Sequence, residues 1–153
     1  MKPLRRFLAW SGDERRLLFV AGFAVLGVRL GLWLLPLKPL LARVRALART
    51  PDAPNERTEV AALVRAVERA SRVVPRASCL TQALAAHLLL ARAGHRSELR
   101  FGVSRNAAGA FEAHAWLEHE GRVVLGDRPD LARYRALPSL ELLDARRSAS
   151  SVR

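Results

Sequence analysis

The hydrophobic pattern changes its period at Gly94, and this change restricts the fold more than any other feature of the sequence. Before Gly94, apolar residues recur at helical spacing, most completely over residues 79–93. After it, apolar and polar residues alternate over residues 99–103 and 111–117, as they do in half-buried strands. Glu120-Gly121 then reads as a hairpin turn leading into a third strand over residues 122–126. Helices followed by consecutive strands predict an α+β domain.

The length and charge of the chain limit its organisation and its partners. Its 153 residues suffice for one domain with a helical appendage. We divide it into an apolar and basic helical segment, residues 1–57, and a domain over residues 58–153, with a proline-containing linker at residues 50–55. The net charge of +12 is carried mainly by scattered arginines without interleaved aromatic residues. This pattern favours a solvated basic surface over binding to nucleic acid.

Residues 17–37 form the most apolar stretch of the chain. Their length fits a membrane-spanning helix, which needs about 20 residues. Arg29 lies inside the stretch, however, and basic residues flank both of its ends, so the positive-inside rule gives no orientation. A membrane helix and a buried or membrane-leaning helix therefore stay equally open.

The single cysteine, Cys79, excludes an internal disulfide and the cysteine-pair spacings of zinc sites, and we predict no metal site. Ser78 is a plausible N-cap, which sets Cys79 at the first position of the helix over residues 79–93. There the free backbone N–H groups and the positive end of the helix dipole favour a thiolate. The same N–H groups can hold a developing oxyanion. Cys79 is thus a candidate nucleophile.

The predicted hairpin supplies partners for this thiol. With Glu120-Gly121 as the turn, counting back along both strands sets His114 directly opposite Asp127 on the same face. An aspartate beside a histidine fixes its tautomer and leaves the other ring nitrogen for a thiol. Asp130 is the alternative acid if the hairpin is longer. Trp116 shares the face of His114 and is a candidate wall of the substrate cleft.

The segments CLTQALAAHLLLARAGHRSELRFGV and EAHAWLEHEGRVVLGD resemble the lasso-peptide leader peptidases, which are stand-alone B-type proteins of the transglutaminase-like superfamily. The positions that carry the resemblance are Cys79-Leu80, Gly94, Gly102-Val103, His114-Ala115-Trp116 and Asp127. The leucine-rich stretch that ends in Leu35-Pro36 extends the resemblance to the N-terminal third of the chain.

The resemblance implies a papain-like cysteine protease core with Cys79, His114 and Asp127 as its triad. The implied activity is removal of the leader from a ribosomally made lasso precursor peptide, before a separate lasso cyclase closes the ring. Because no winged-helix recognition domain fits in the first 57 residues, a separate leader-recognition protein is the implied partner. ATP is associated with the family, although the sequence has no phosphate-binding glycine loop.

Two other functions stay open. A transglutaminase-like acyltransferase would use the same triad, and the resemblance alone favours hydrolysis over transfer to an amine. A membrane-associated, non-enzymatic scaffold would use residues 17–37 as an anchor and bury Cys79 in its core. We expect a cytoplasmic protein, with membrane contact through residues 17–37 undecided.

Overall fold

Helices form the first half of the protein, which is represented by a computed structural model describing residues 11–48 and 59–137. Within these ranges the helices α1 to α4 span Gly12–Leu34, Leu37–Leu47, Val60–Ser71 and Cys79–Arg92. The predicted α+β order is confirmed. The expected linker and the boundary at residue 57 lie outside the described residues, as does the tail after residue 137.

Helix α1 begins at a capping box and packs one face into the core. The Ser11 hydroxyl accepts a hydrogen bond from the Glu14 N–H, and the Ser11 N–H donates to the Glu14 carboxylate. Ala21, Val25 and Val28 are buried against α3 and α4. Among the described helices, α1 alone is long and apolar enough to cross a membrane, yet only 17% of its apolar window is buried.

Helix α4 is the central helix of the fold. Its residues from Ala83 to Ala86 are fully buried, as are Thr81 and Leu90, because apolar side chains occupy most of its circumference. The predicted N-cap is confirmed, since the Ser78 side chain accepts from the Thr81 N–H. Gly94 follows the helix with φ of 87°, in the left-handed conformation expected of a stop.

The sheet is antiparallel and covers α4 on one side. In the described part of the chain its strands β1 to β4 span Glu98–Arg105, Phe111–His119, Arg122–Leu125 and Arg135–Ala136. Their order across the sheet is β3-β2-β1-β4. Ala115, Leu117 and Leu125 face the helices and join the core. Because side chains alternate along a strand, His114 and Trp116 stand on the opposite face.

The register of the β2–β3 hairpin corrects one prediction. His119 pairs with Arg122 as expected, and both turn residues have positive φ, as a type I′ turn requires. A bulge between Leu117 and Glu118 then shifts the ladder so that Leu117 pairs with Leu125, where β3 ends. The direct pairing of His114 with Asp127 is therefore wrong, because one extra residue changes every later pair.

The strand β4 was not predicted. A short 3-10 turn, Leu131–Arg133, redirects the chain so that β4 pairs with Gly102 and Val103 of β1. Tyr134 is buried, and the Leu137 N–H donates to the Phe101 carbonyl at 2.7 Å. The pairing of β4 with β1 brings Leu137 to the edge of an apolar cavity that Cys79 also lines.

Candidate active site

Cys79 is the first residue of α4 and carries a free, half-buried thiol. The cap uses two of the nearby backbone donors, since Thr81 N–H binds the Ser78 hydroxyl at 3.3 Å and Gln82 N–H binds the Ser78 carbonyl at 3.0 Å. By position, the N–H groups of Cys79 and Leu80 have no acceptor inside the helix. Two donors next to the thiol are thus available to a bound oxygen.

An apolar cavity of about 260 Å³ opens beside Cys79. Its lining residues are Leu37, Cys79, Leu80, Phe101, Gly102, Val103, Ala113, His114, Ala115 and Leu137. The thiol and the imidazole are the only ionisable side chains among them. None of these described lining residues is cationic, and we assign no step to ATP.

His114 is buried and held by its neighbours. Its Nε2 lies 2.7 Å from the Gly126 carbonyl oxygen. A carbonyl only accepts, so Nε2 carries the proton in this hydrogen bond and Nδ1 of the neutral ring keeps its lone pair. The ring stacks on Trp116 at 6.1 Å between centroids and contacts Tyr134 at 5.4 Å. His114 therefore has the tautomer of a general base that acts through Nδ1.

Two glycines make room for this arrangement. Gly126 has φ of 82°, and a Cβ there would lie 3.0 Å from both the Ala115 oxygen and the Trp116 Cβ. Gly102 lies across from His114 on β1, and a Cβ there would lie 2.8 Å from the Trp116 ring and 2.9 Å from the Tyr134 Cβ. Side chains at either position would displace the groups around His114.

Asp127 follows Gly126 in the loop after β3 and is exposed. It forms no hydrogen bond or ion pair with any residue in the described ranges. Asp130, the alternative acid, is held instead by Arg128 at 3.0 Å and by Arg133 at 3.7 Å. This pairing raises the pKa of Arg128 and engages the Asp130 carboxylate away from His114.

Trp116 lies behind His114 and is not among the residues lining the cavity. Its Nε1–H donates to Glu118 Oε1 at 2.9 Å, and Glu118 also accepts from Arg100 at 3.1 Å. Trp116 is thereby fixed as a packing surface for the imidazole. Its expected role as a wall of the substrate cleft stays a prediction.

The structure brings Cys79 and His114 to one cavity without a hydrogen bond between them in the described part of the chain. Along β2 the imidazole shares the face of Trp116, and its neighbours Ala113 and Ala115 share the other face; all three of His114, Ala113 and Ala115 line the cavity. Residues 11–48 and 59–137 contain no group of three His, Cys, Asp or Glu residues that could hold a metal ion.

Gly126 and Tyr134 contact His114 and were not recognised as site residues in the sequence. The signal for Gly126 was its position at the end of a predicted strand, where a left-handed residue ends pairing. Tyr134 gave no such signal, because its approach depends on β4. The other histidines serve elsewhere: His87 pairs with Ser97, and His119 with the Arg96 carbonyl.

Comparison with known proteins gives the family of the chain. A family model described as the transglutaminase-like superfamily matches residues 24–139, well over half of the sequence. No curated protein and no solved structure shows a significant match. Members of this superfamily are typically cysteine-based enzymes, either papain-like proteases or acyltransferases. Because the family model covers more than half of the sequence, the chain belongs to the transglutaminase-like superfamily.

Proposed function

We propose that the protein is a cysteine endopeptidase that removes the leader from a ribosomally made lasso precursor peptide. The observation that carries the proposal is the shared cavity of Cys79 and His114, with the histidine Nε2 bound to the Gly126 carbonyl. Membership of the superfamily supports thiol chemistry. The similarity of the Cys-Leu, Gly-Val and His-Ala-Trp motifs to leader peptidases supports the substrate class.

In the proposed first step, the Cys79 sulfur attacks the carbonyl carbon at the junction between leader and core. The thiol proton passes to Nδ1 of His114, which becomes an imidazolium. Transfer requires the imidazole to come within hydrogen-bond reach of the sulfur once substrate is bound, since such contacts often tighten only in the complex. The negative oxygen of the tetrahedral intermediate is received by the free N–H groups of Cys79 and Leu80.

The intermediate then collapses. The C–N bond breaks, and Nδ1 returns its proton to the leaving amine of the core peptide. The leader remains as a thioester on Cys79. His114 next takes a proton from water, whose oxygen attacks the thioester carbonyl. Breakdown of this second intermediate releases the leader carboxylate and restores the thiol.

We assign the orientation of His114 to the Gly126-Asp127 pair. The Gly126 carbonyl accepts from Nε2, and the adjacent Asp127 carboxylate stabilises the imidazolium by its charge. The apolar lining of the cavity suits an uncharged, apolar side chain of the substrate next to the scissile bond. A separate leader-recognition protein delivers the precursor, and the lasso cyclase is the consumer of the released core.

The test is cleavage of a lasso precursor with its leader-recognition protein present. Wild-type protein is expected to yield free leader and core, and Cys79→Ala to yield neither. Asp127→Ala is expected to slow cleavage by at least about tenfold, because it removes the negative charge that we assign to stabilising the imidazolium. Asp130→Ala is the matched control, since its carboxylate pairs with arginines. Equal cleavage by Cys79→Ala would remove the nucleophile assignment and favour a scaffold function.

Acyl transfer is the second candidate, because the superfamily contains acyltransferases as well as proteases. Both reactions pass through the same thioester, and they differ only in the final acceptor. Product mass separates them: hydrolysis adds water to the leader, whereas transfer adds an amine. Reaction with an amine donor present, followed by mass measurement of the leader, decides between the two.

A further inference from the structure

Helix α1 has a second apolar face that no described residue covers. Phe23 and Trp33 are each 74% exposed, and Leu34 is 67% exposed. Leu26 and Leu30 lie between them at spacings of three and four residues, so the five side chains form one stripe along the helix. We call these five residues the α1 stripe. Soluble monomers seldom expose a continuous apolar surface unless it binds something.

Basic residues stand at both ends of the α1 stripe. Arg16 is exposed before it, and Lys38 and Arg43 are exposed after it on α2. No acidic residue occurs in the sequence between Glu14 and Asp52. The whole chain carries a net charge of +12. An anionic lipid bilayer has acyl chains that can receive an apolar stripe and negatively charged headgroups that attract the flanking cations. The α1 stripe and its flanking basic residues therefore complement such a bilayer.

We propose that the α1 stripe docks the protein onto an anionic bilayer, with α1 lying in the plane of the interface. The opposite face of α1 holds Ala21 and Val25 in the core against α3 and α4. Helix α3 exposes Arg65 and Glu68 to the surroundings. A spanning α1 would carry these charges into hydrocarbon, whereas an in-plane helix leaves them in water.

Leu37, the first residue of α2 and three residues beyond the end of the α1 stripe, is 44% exposed and lines the cavity together with Cys79. Membrane docking stands independently of the proposed peptidase activity, since it depends on α1 and its flanking charges alone.

The first test is flotation of the full chain with lipid vesicles. Vesicles containing phosphatidylglycerol are expected to carry the protein upward, and binding should weaken as salt is raised. Pure phosphatidylcholine vesicles should carry much less. Equal binding to both compositions would overturn the proposal of an anionic partner.

A matched pair of phenylalanines locates the contact. Phe23 lies in the α1 stripe at 74% exposure, and Phe111 lies on β2 at 72% exposure. Phe23→Ser should weaken partition by about tenfold, as expected for losing one inserted aromatic side chain. Phe111→Ser should leave partition unchanged. Equal effects of the two variants would refute docking through α1.

Charge is tested by a second matched pair. The double variant Arg16→Gln/Lys38→Gln should weaken binding to anionic vesicles. The control Arg122→Gln/Arg135→Gln removes the same charge from exposed sheet positions and should not weaken binding.

Sedimentation without lipid tests another occupant of the α1 stripe. If the protein does not float with either kind of vesicle, but forms a dimer that Phe23→Ser dissociates, then the α1 stripe binds a second copy of the chain and not a membrane.

Discussion

At the scale of single residues, the orientation of His114 depends on Gly126. We expect Gly126→Ala to lower the rate of leader cleavage by at least about tenfold, because its Cβ would meet the Ala115 oxygen and the Trp116 Cβ at 3.0 Å and displace the accepting carbonyl. Cleavage kinetics, measured with the melting temperature of the variant, check this prediction.

Gly121→Ala is the control for that variant. Gly121 also has positive φ, at 73°, so alanine carries a similar backbone strain of about 1 kcal/mol. Apart from the adjacent residues, however, no atom in the described part of the chain lies within 4 Å of a Cβ at Gly121, and the position is in the hairpin turn. Loss of activity in both variants to the same degree would show that strain, and not the Gly126 carbonyl, controls His114.

Tyr134, which contacts the His114 ring, gives a prediction about alkaline pH. Burial raises the pKa of Tyr134 above its usual value of 10.0, with Glu112 and Asp130 adding to the rise and Arg128 opposing it. A raised pKa in the folded state means that Tyr134 contributes stability below its unfolded pKa, and that this contribution is lost as pH rises through the folded pKa. Tyr134 is the only tyrosine, so phenolate absorbance reports it directly.

The expected titration midpoint lies above 10.0, and Glu112→Gln should bring it down by removing a nearby negative charge. Tyr134→Phe should abolish the signal. A midpoint at or below the usual value would contradict the packing of Tyr134 against the site.

At the scale of secondary-structure elements, the N-cap of α4 links stability to the thiol. Ser78→Ala should cost about 1 kcal/mol of folding free energy, because the Thr81 N–H loses its acceptor. It should also slow alkylation of Cys79, the single cysteine, by disturbing the first turn. Ser11→Ala is the matched control, since it removes the α1 cap and should leave alkylation unchanged.

The same elements show what the sequence could predict. The start of α4 followed from Ser78 and its end from Gly94, because caps and stops are local signals. The turn Glu120-Gly121 was equally local. The bulge at Leu117/Glu118 was not predictable, since it reflects how β3 fits beside β2 rather than any residue pattern. The strand β4 was missed for a related reason, being only two residues long.

At the scale of the whole molecule, α4 holds the helices and the sheet together. Leu84 is fully buried in a core that contains residues of all four described helices and of the sheet. We expect Leu84→Ala to cost about 2–5 kcal/mol through lost contacts and a residual cavity. Leu26→Ala, on the exposed α1 stripe, should change stability by less than about 0.5 kcal/mol. Denaturant unfolding of the two variants measures the difference.

The sequence predicted the position of the nucleophile, Cys79, better than it predicted the surroundings of the base, His114. Cys79 needed only a helix start, which one segment determines. The surroundings of His114 come from four separate stretches of chain, including Gly102, Gly126 and Tyr134. Strict counting across a hairpin could not foresee that the Gly126 carbonyl would take the position expected for the Asp127 carboxylate.

Leu37 and Leu137, which come from opposite ends of the described chain, form walls of the same cavity. A ribosome synthesises the chain from the N-terminus onward, so Cys79 leaves the ribosome well before Leu137 does. A nascent chain therefore contains the Cys79 thiol before Leu137, one of the residues that line the cavity, has been added. A chain that ends before residue 137 therefore keeps the nucleophile but lacks one wall of the cavity.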